Sequence, residues 1–174
     1  MKKNFYFILF SALTIICTSC EKTLKEEPVY EKYYIKYTTN DWRTVNVNYQ
    51  NFIYDNNVYD ENVLLSNTCE QGNGVITFMA KVIGIYGMTF YNQDNITSID
   101  LPGTITDIGQ YAFENCLNLK SVYIHSVIPP ELGLCAFTRC HNDLKIYIPA
   151  ESEVAYNNAS DWEIYKDKLV PTYY

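Results

Sequence analysis

Apolar positions recur at a constant interval along the middle of this chain. Ile76, Ile99 and Val122 are 23 residues apart, and Phe78, Leu101 and Ile124 keep the same step two places on. Val82 and Ile105, Ile85 and Ile108, and Phe90 and Phe113 share that offset. The step then becomes 24, joining Ile108 to Leu132, Gly109 to Gly133, Ala112 to Ala136, Phe113 to Phe137, Cys116 to Cys140 and Ile124 to Ile148. Each period opens on an alternating segment. In Ser98-Ile99-Asp100-Leu101, Ile99 and Leu101 fall on one face of a strand and Ser98 and Asp100 on the other. A unit this short cannot bury its apolar face alone, so successive units must stack. The pattern therefore predicts Ile76, Ile99, Val122 and Ile146 on adjacent strands of one sheet, with Phe90, Phe113 and Phe137 as an interior column. Gly109 and Gly133 fall where each unit turns and are expected at positive φ. Cys116 and Cys140 are expected as buried thiols one coil apart, packing as small hydrophobes.

The flanks follow other patterns. Tyr34–Tyr37 and Val45–Tyr49 nearly alternate and predict strands, so residues 33–72 are expected to form a β-rich cap over the open end of the stack. After Pro149 the spacing becomes helical, predicting short helices over 151–158 and 161–168. Ser160 and Glu163 have the spacing of a capping box. Val154, Tyr156, Trp162, Tyr165 and Leu169 are the expected contacts on the far end of the core.

The first residues have a different purpose. Met1-Lys2-Lys3 is a basic start, Asn4–Cys17 is mostly apolar, and Thr18-Ser19-Cys20 ends the run. This is the layout of a secretory signal, too short to span a bilayer. The exit resembles a bacterial lipobox, with small residues before a cysteine that would be lipidated, Cys20. Residues 1–19 then form a signal peptide and 20–32 a charged tether. The remaining divisions are the cap at 33–72, repeats at 73–149 and a helical cap at 150–174.

The repeat reads as a strand, then Ile-Gly, then Ala-Phe-x-x-Cys-x-x-Leu, as in Ile108-Gly109 and Ala112-Phe113 through Cys116 and Leu119. It resembles the BspA-like surface leucine-rich repeats of bacteria, from Gly74 to about Pro171. Pro129-Pro130 before Glu131-Leu132-Gly133 resembles the family's last repeat, and Lys145–Ser152 with Asp161-Trp162 its C-terminal cap. The first repeat departs from the pattern, with Tyr86 for the glycine, Thr89 for the alanine and Gln93 for the cysteine. The resemblance implies a β-rich (α+β) fold: a short right-handed leucine-rich-repeat solenoid with a parallel sheet. It also implies an outer-membrane lipoprotein displayed at the cell surface, in a family whose members are reported to bind host or neighbouring-cell proteins.

Composition narrows the chemistry. The net charge is −7, and loss of Lys2 and Lys3 with the signal would leave 11 basic against 20 acidic residues. Such a balance excludes a nucleic-acid partner, which needs a basic face. There are two histidines and no HExxH, GxSxG or phosphate-loop motif, so no catalysis, cofactor or metal is expected. The cysteines Cys69, Cys116, Cys135 and Cys140 contain no CxxC pair, against a zinc site. The candidate contact surface is the outward row of the strands: Thr77, Asp100, Tyr123 and Tyr147, flanked by Lys145 and His125. It suits adhesion or recognition of a protein or glycan, tyrosine giving a large contact at low entropic cost. The alternative is a non-catalytic accessory subunit of an envelope complex.

Overall fold

The computed structural model describes residues 31–47, 49–55 and 61–174, so Cys20, the signal and nearly all of the tether lie outside the described residues. Among the described residues there are eleven strands: Tyr33–Thr39 (β1), Phe52–Tyr54 (β2), Leu64–Glu70 (β3), Asn73–Phe78 (β4), Val82–Ile85 (β5), Ile96–Leu101 (β6), Asp107–Ile108 (β7), Ser121–Ile124 (β8), Glu131–Leu132 (β9), Lys145–Pro149 (β10) and Leu169–Thr172 (β11). One α-helix, Glu153–Asn158 (α1), precedes a 3-10 helix over Ser160–Lys168.

Two sheets enclose the core. The larger has the order β11-β10-β8-β6-β1-β4-β3, the smaller β2-β5-β7-β9. In the larger sheet β6, β8, β10 and β11 are parallel, with Ile99 beside Val122, Val122 beside Ile146 and Ile146 beside Leu169. Ile99, Leu101, Val122, Ile124, Ile146 and Ile148 are wholly buried, as the alternation requires. The smaller sheet was not anticipated. Its parallel strands carry only two to four residues each, too few for an alternating signal to stand out, yet they stack Ile85 beside Ile108 and Ile108 beside Leu132. Between the sheets the rings of Phe90 and Phe113 stack at 4.9 Å and those of Phe113 and Phe137 at 5.2 Å. The column is closed by Phe52 at one end, 6.2 Å from Phe90, and by Tyr165 at the other, 5.6 Å from Phe137.

The strand next to β6 corrects the sequence reading. Ile76 and Ile99 are not on adjacent strands, because β1 lies between β4 and β6, antiparallel to both. Tyr37 pairs with Gly74 on one side and Ile99 on the other, so Ile99 lines up with Gly74 and not with Ile76. Gly74 is required there: a Cβ would fall 2.0 Å from the Tyr37 ring. The Tyr37 hydroxyl donates to Asn67 Oδ1 at 2.7 Å, which keeps a buried phenol hydrogen-bonded. Val45–Val47, expected as strand, is irregular, with the buried Val45 side chain pinned over β3 by Asn67 Nδ2 donating to its carbonyl at 2.7 Å.

The glycines also act differently from expectation. Gly109 and Gly133 are not at positive φ; that region is occupied by Met88, Tyr111 and Cys135, and again by Asn92, Asn115 and Arg139, at the same 23- and 24-residue steps. The glycines permit close stacking instead. A Cβ on Gly109 would meet Gly87 N at 2.4 Å, and one on Gly133 would meet Gln110 N at 2.2 Å. Each glycine thus faces the preceding coil. Tyr86 stands in the first coil, where the preceding backbone is a cap rather than a repeat, and the turn keeps its form because Met88 has the same φ as Tyr111 within a few degrees.

The ends of the stack are closed by substitutes for missing coils. Gly109 N donates to Ile85 O and Gly133 N to Ile108 O, and at the first coil Tyr86 N donates to Asn51 O at 2.9 Å. Thr89 Oγ1 donates to the same carbonyl at 2.8 Å, which explains a threonine where later repeats have alanine. At the other end, Phe90 N and Phe113 N donate to the next coil's alanine carbonyl at 2.8 Å, whereas Phe137 N donates to the Tyr165 hydroxyl at 3.2 Å. Trp162 Nε1 donates to Pro130 O and the Tyr156 hydroxyl to Ser126 O, both at 2.9 Å. Tyr156, Trp162 and Tyr165 are therefore buried as expected, and Leu169 is partly so, but Val154 is exposed. No capping box forms: Ser160 Oγ bonds Asp161, and the second helix is 3-10 rather than α.

Candidate functional site

The outward side of the larger sheet gathers most of the candidate contact residues. Asp100 pairs with Tyr123 and Tyr123 with Tyr147, so these three form one row across β6, β8 and β10. The Tyr123 and Tyr147 rings stack at 4.6 Å, 11° from parallel, close to the strand spacing of about 4.8 Å. Each ring covers one face of the other. Lys145 lies two residues along β10, in the row of Ser121 and Ser98. Thr77 does not join. It pairs with Tyr34 of β1, and Lys36 takes the place beside Asp100, with Val75 beyond it. The row is thus Val75, Lys36, Asp100, Tyr123, Tyr147 and Val170, longer than expected and differently composed.

His125 is already engaged. Its Nε2 lies 2.9 Å from Asp100 Oδ1, and the Tyr174 ring rests against its imidazole with centroids 4.1 Å apart. The Tyr174 hydroxyl donates to Tyr147 O at 3.0 Å. Burial, with the Asp100 charge beside it, pushes the Tyr174 phenol up to about 12, so it stays a neutral donor across physiological pH. Lys36 and Tyr174 were not foreseen. β1 had no repeat partner to place it, and Tyr174 follows the last repeat.

The thiols stand apart from this surface. Cys116 Sγ donates to Phe90 O at 3.0 Å and Cys140 Sγ to Phe113 O at 3.2 Å, each reaching the preceding coil. Both are free, and burial pushes both up to about 12. A thiol held protonated is a poor nucleophile and a poor metal ligand. Gln93, at the equivalent place in the first coil, instead exchanges hydrogen bonds with the Asn46 backbone of the cap.

The pattern of the BspA type leucine-rich repeat region matches residues 66–161, as six copies. The chain belongs to the BspA-type leucine-rich-repeat family. The match begins in β3, ahead of the first 23-residue step, and so takes in the hairpin that carries β4. Among curated proteins none matches the chain. BspA-type repeats are in general non-catalytic protein-interaction modules.

Proposed function

We propose that this chain is a cell-surface recognition protein, lipid-anchored at Cys20 in the outer membrane, whose right-handed solenoid presents the larger sheet as its contact face. Met1-Lys2-Lys3, the apolar run to Cys17 and Ser19-Cys20 support the anchor; membership of the BspA-type family supports display and adhesion. The observation that carries the reading is the stacked Tyr123–Tyr147 pair on the solvent side of paired strands. Two large side chains stacked on each other at fixed spacing lose little freedom on contact, the property that makes tyrosine effective at interfaces. The ligand is a protein or glycan, contacted by Tyr123 and Tyr147 with Asp100, Lys145 and the His125 edge as polar contacts. Tyr123→Ala with Tyr147→Ala should abolish capture of cells or matrix by the displayed protein while leaving its fold intact. Undiminished capture would refute the assignment. Cys20→Ala should release the chain from the membrane fraction and block labelling with a fatty-acid probe.

A second reading, a non-catalytic accessory subunit of an envelope complex, draws on the exposed Ile128, Leu134, Val154 and Ile164, each more than 60% accessible, in the last repeat and its cap. A stoichiometric partner retained through detergent extraction would favour it, and a monodisperse monomer would count against it.

A further inference from the structure

The contact face contains a depression of about 270 Å³ between β4, β1, β6 and β8. Thr38, Asn73 and Ser98 lie along it, with Lys36, Asp100 and Tyr123 around them. Its position excludes one class of ligand. An extended peptide binds a sheet by pairing with an open edge, whereas this depression sits mid-sheet, where β1 is already paired on both sides. What remains on offer is side-chain chemistry.

That chemistry has three parts. Asp100 Oδ1 is held by His125 Nε2 at 2.9 Å, while among the described residues Lys36 forms no ion pair. Lys36 is the one cationic side chain in the lining of the depression. Thr38 Oγ1 lies 2.6 Å from Thr97 Oγ1 and 2.7 Å from Ser98 Oγ. Three hydroxyls hold more donor and acceptor capacity than they use on one another. Tyr147 covers one face of the Tyr123 ring, and the other face borders the depression.

A fourth observation comes from the loop that follows β1. Trp42 is 70% exposed and held at φ 63°, a costly conformation for a bulky residue. Its loop is fixed by Asn40 N donating to Asn95 O at 3.0 Å and by Asn95 Nδ2 donating to Asp41 Oδ1 at 3.1 Å. The indole lies over Gly72, next to Asn73 of the depression; a Cβ on Gly72 would be 3.3 Å from it. An indole kept in solvent by an anchored, strained loop close to the depression is a platform for a ring.

We propose that this depression binds a carboxylated sugar, a uronate-type residue within a glycan. Lys36 Nζ donates to the carboxylate, Thr38, Ser98 and Asn73 bond the ring hydroxyls, and Tyr123 packs on the ring. Trp42 receives the next sugar. The volume, just under the range of about 300–1,000 Å³ for small-molecule sites, admits one ring at a time. This deepens the recognition reading above and rests on the same face being open.

The test uses a glucuronate-containing tetrasaccharide and the same tetrasaccharide with its carboxylates reduced to alcohols, titrated into the folded domain by calorimetry and amide NMR. Saturable binding of the acidic probe is expected, with shifts at Lys36, Thr38 and Ser98. The reduced probe should bind about tenfold more weakly or worse, the scale of one charge-assisted hydrogen bond. Lys36→Met should lose a similar factor with an unchanged unfolding midpoint, and Lys36→Arg should restore most of it. No saturable binding of the acidic probe, equal binding of both probes, or indifference to Lys36→Met would each overturn the proposal. If the acidic probe fails while capture still depends on Tyr123 and Tyr147, the sugar assignment falls and the recognition surface stands. If the probe binds while capture ignores the tyrosines, the reverse holds.

Discussion

From β6 to β10 each strand sits one repeat after its neighbour, parallel and in register. From β3 to β1 the strands are antiparallel, joined by a hairpin whose two turn residues, Gln71 and Gly72, both have positive φ. That turn geometry suits the right-handed twist of a two-residue hairpin. Both regions bury alternate residues, but the source of their order differs. In the repeats the same contact recurs one coil on, so rings, thiols and glycines form columns. In the cap, unlike residues must fit each other: Tyr37 over Gly74, Asn67 between Tyr37 and Val45, Asn51 O standing in for a coil that is not there. The repeats are held by periodicity and the cap by individual fit. Substitutions should therefore spread their damage in the first region and confine it in the second.

The largest effect expected from this difference is at Phe113, which stacks on a ring at each side. Phe113→Ala should cost about 3–5 kcal/mol, read by urea unfolding, and should leave no sub-region independently folded. Next is the glycine column. Gly133→Ala places a methyl 2.2 Å from a backbone nitrogen that cannot retreat and should cost about 1–3 kcal/mol. Tyr86→Ala, at the corresponding place in the first coil, should cost less than Gly133→Ala. Equal losses at the two positions would break the distinction between coil and cap.

The last effect is one of pH. The folded chain holds the thiols of Cys116 and Cys140 up at about 12 and the phenols of Tyr37 and Tyr174 also at about 12, in each case chiefly through burial. In the unfolded chain these groups ionise near 9 and 10 respectively. Folding then favours the protonated forms, so the stability they contribute is complete below pH 9 and is lost as the pH rises toward 12. The thiols lose it first. Denaturant midpoints should fall steadily between pH 9 and 11, and Cys116→Ala with Cys140→Ala should flatten the lower part of that fall. Tyr37→Phe, in the cap, should leave the thiol-dependent part unchanged.

Much of the repeat region was legible because periodicity is a property of the sequence itself. The phenyl column, the parallel register from Ile99 to Ile146, and the thiols of Cys116, buried, and Cys140, partly buried, all follow from equal spacing. The site was only partly legible for the same reason. Asp100, Tyr123 and Tyr147 occupy equivalent positions in successive repeats and so share a row, whereas Thr77 was assigned to that row by the same arithmetic and lies elsewhere. The glycines show a related failure. Spacing located the turn, but a left-handed φ and a close backbone approach call for the same residue, and the sequence does not distinguish them. The 3-10 form of Ser160–Lys168 is likewise set by packing, since Trp162 and Tyr165 both have to reach the end of the column.

The sequence by itself determined the repeat, its interval, the residues that face inward and the family to which the chain belongs. Tertiary structure alone decided that β1 enters the sheet between β4 and β6, and with it that Lys36 stands beside Asp100 and that the depression exists. The reason is that a strand with no counterpart one period away has no internal reference. Its partner is chosen by which open edges remain and which side chains fit across them, and that choice involves residues far apart in the chain.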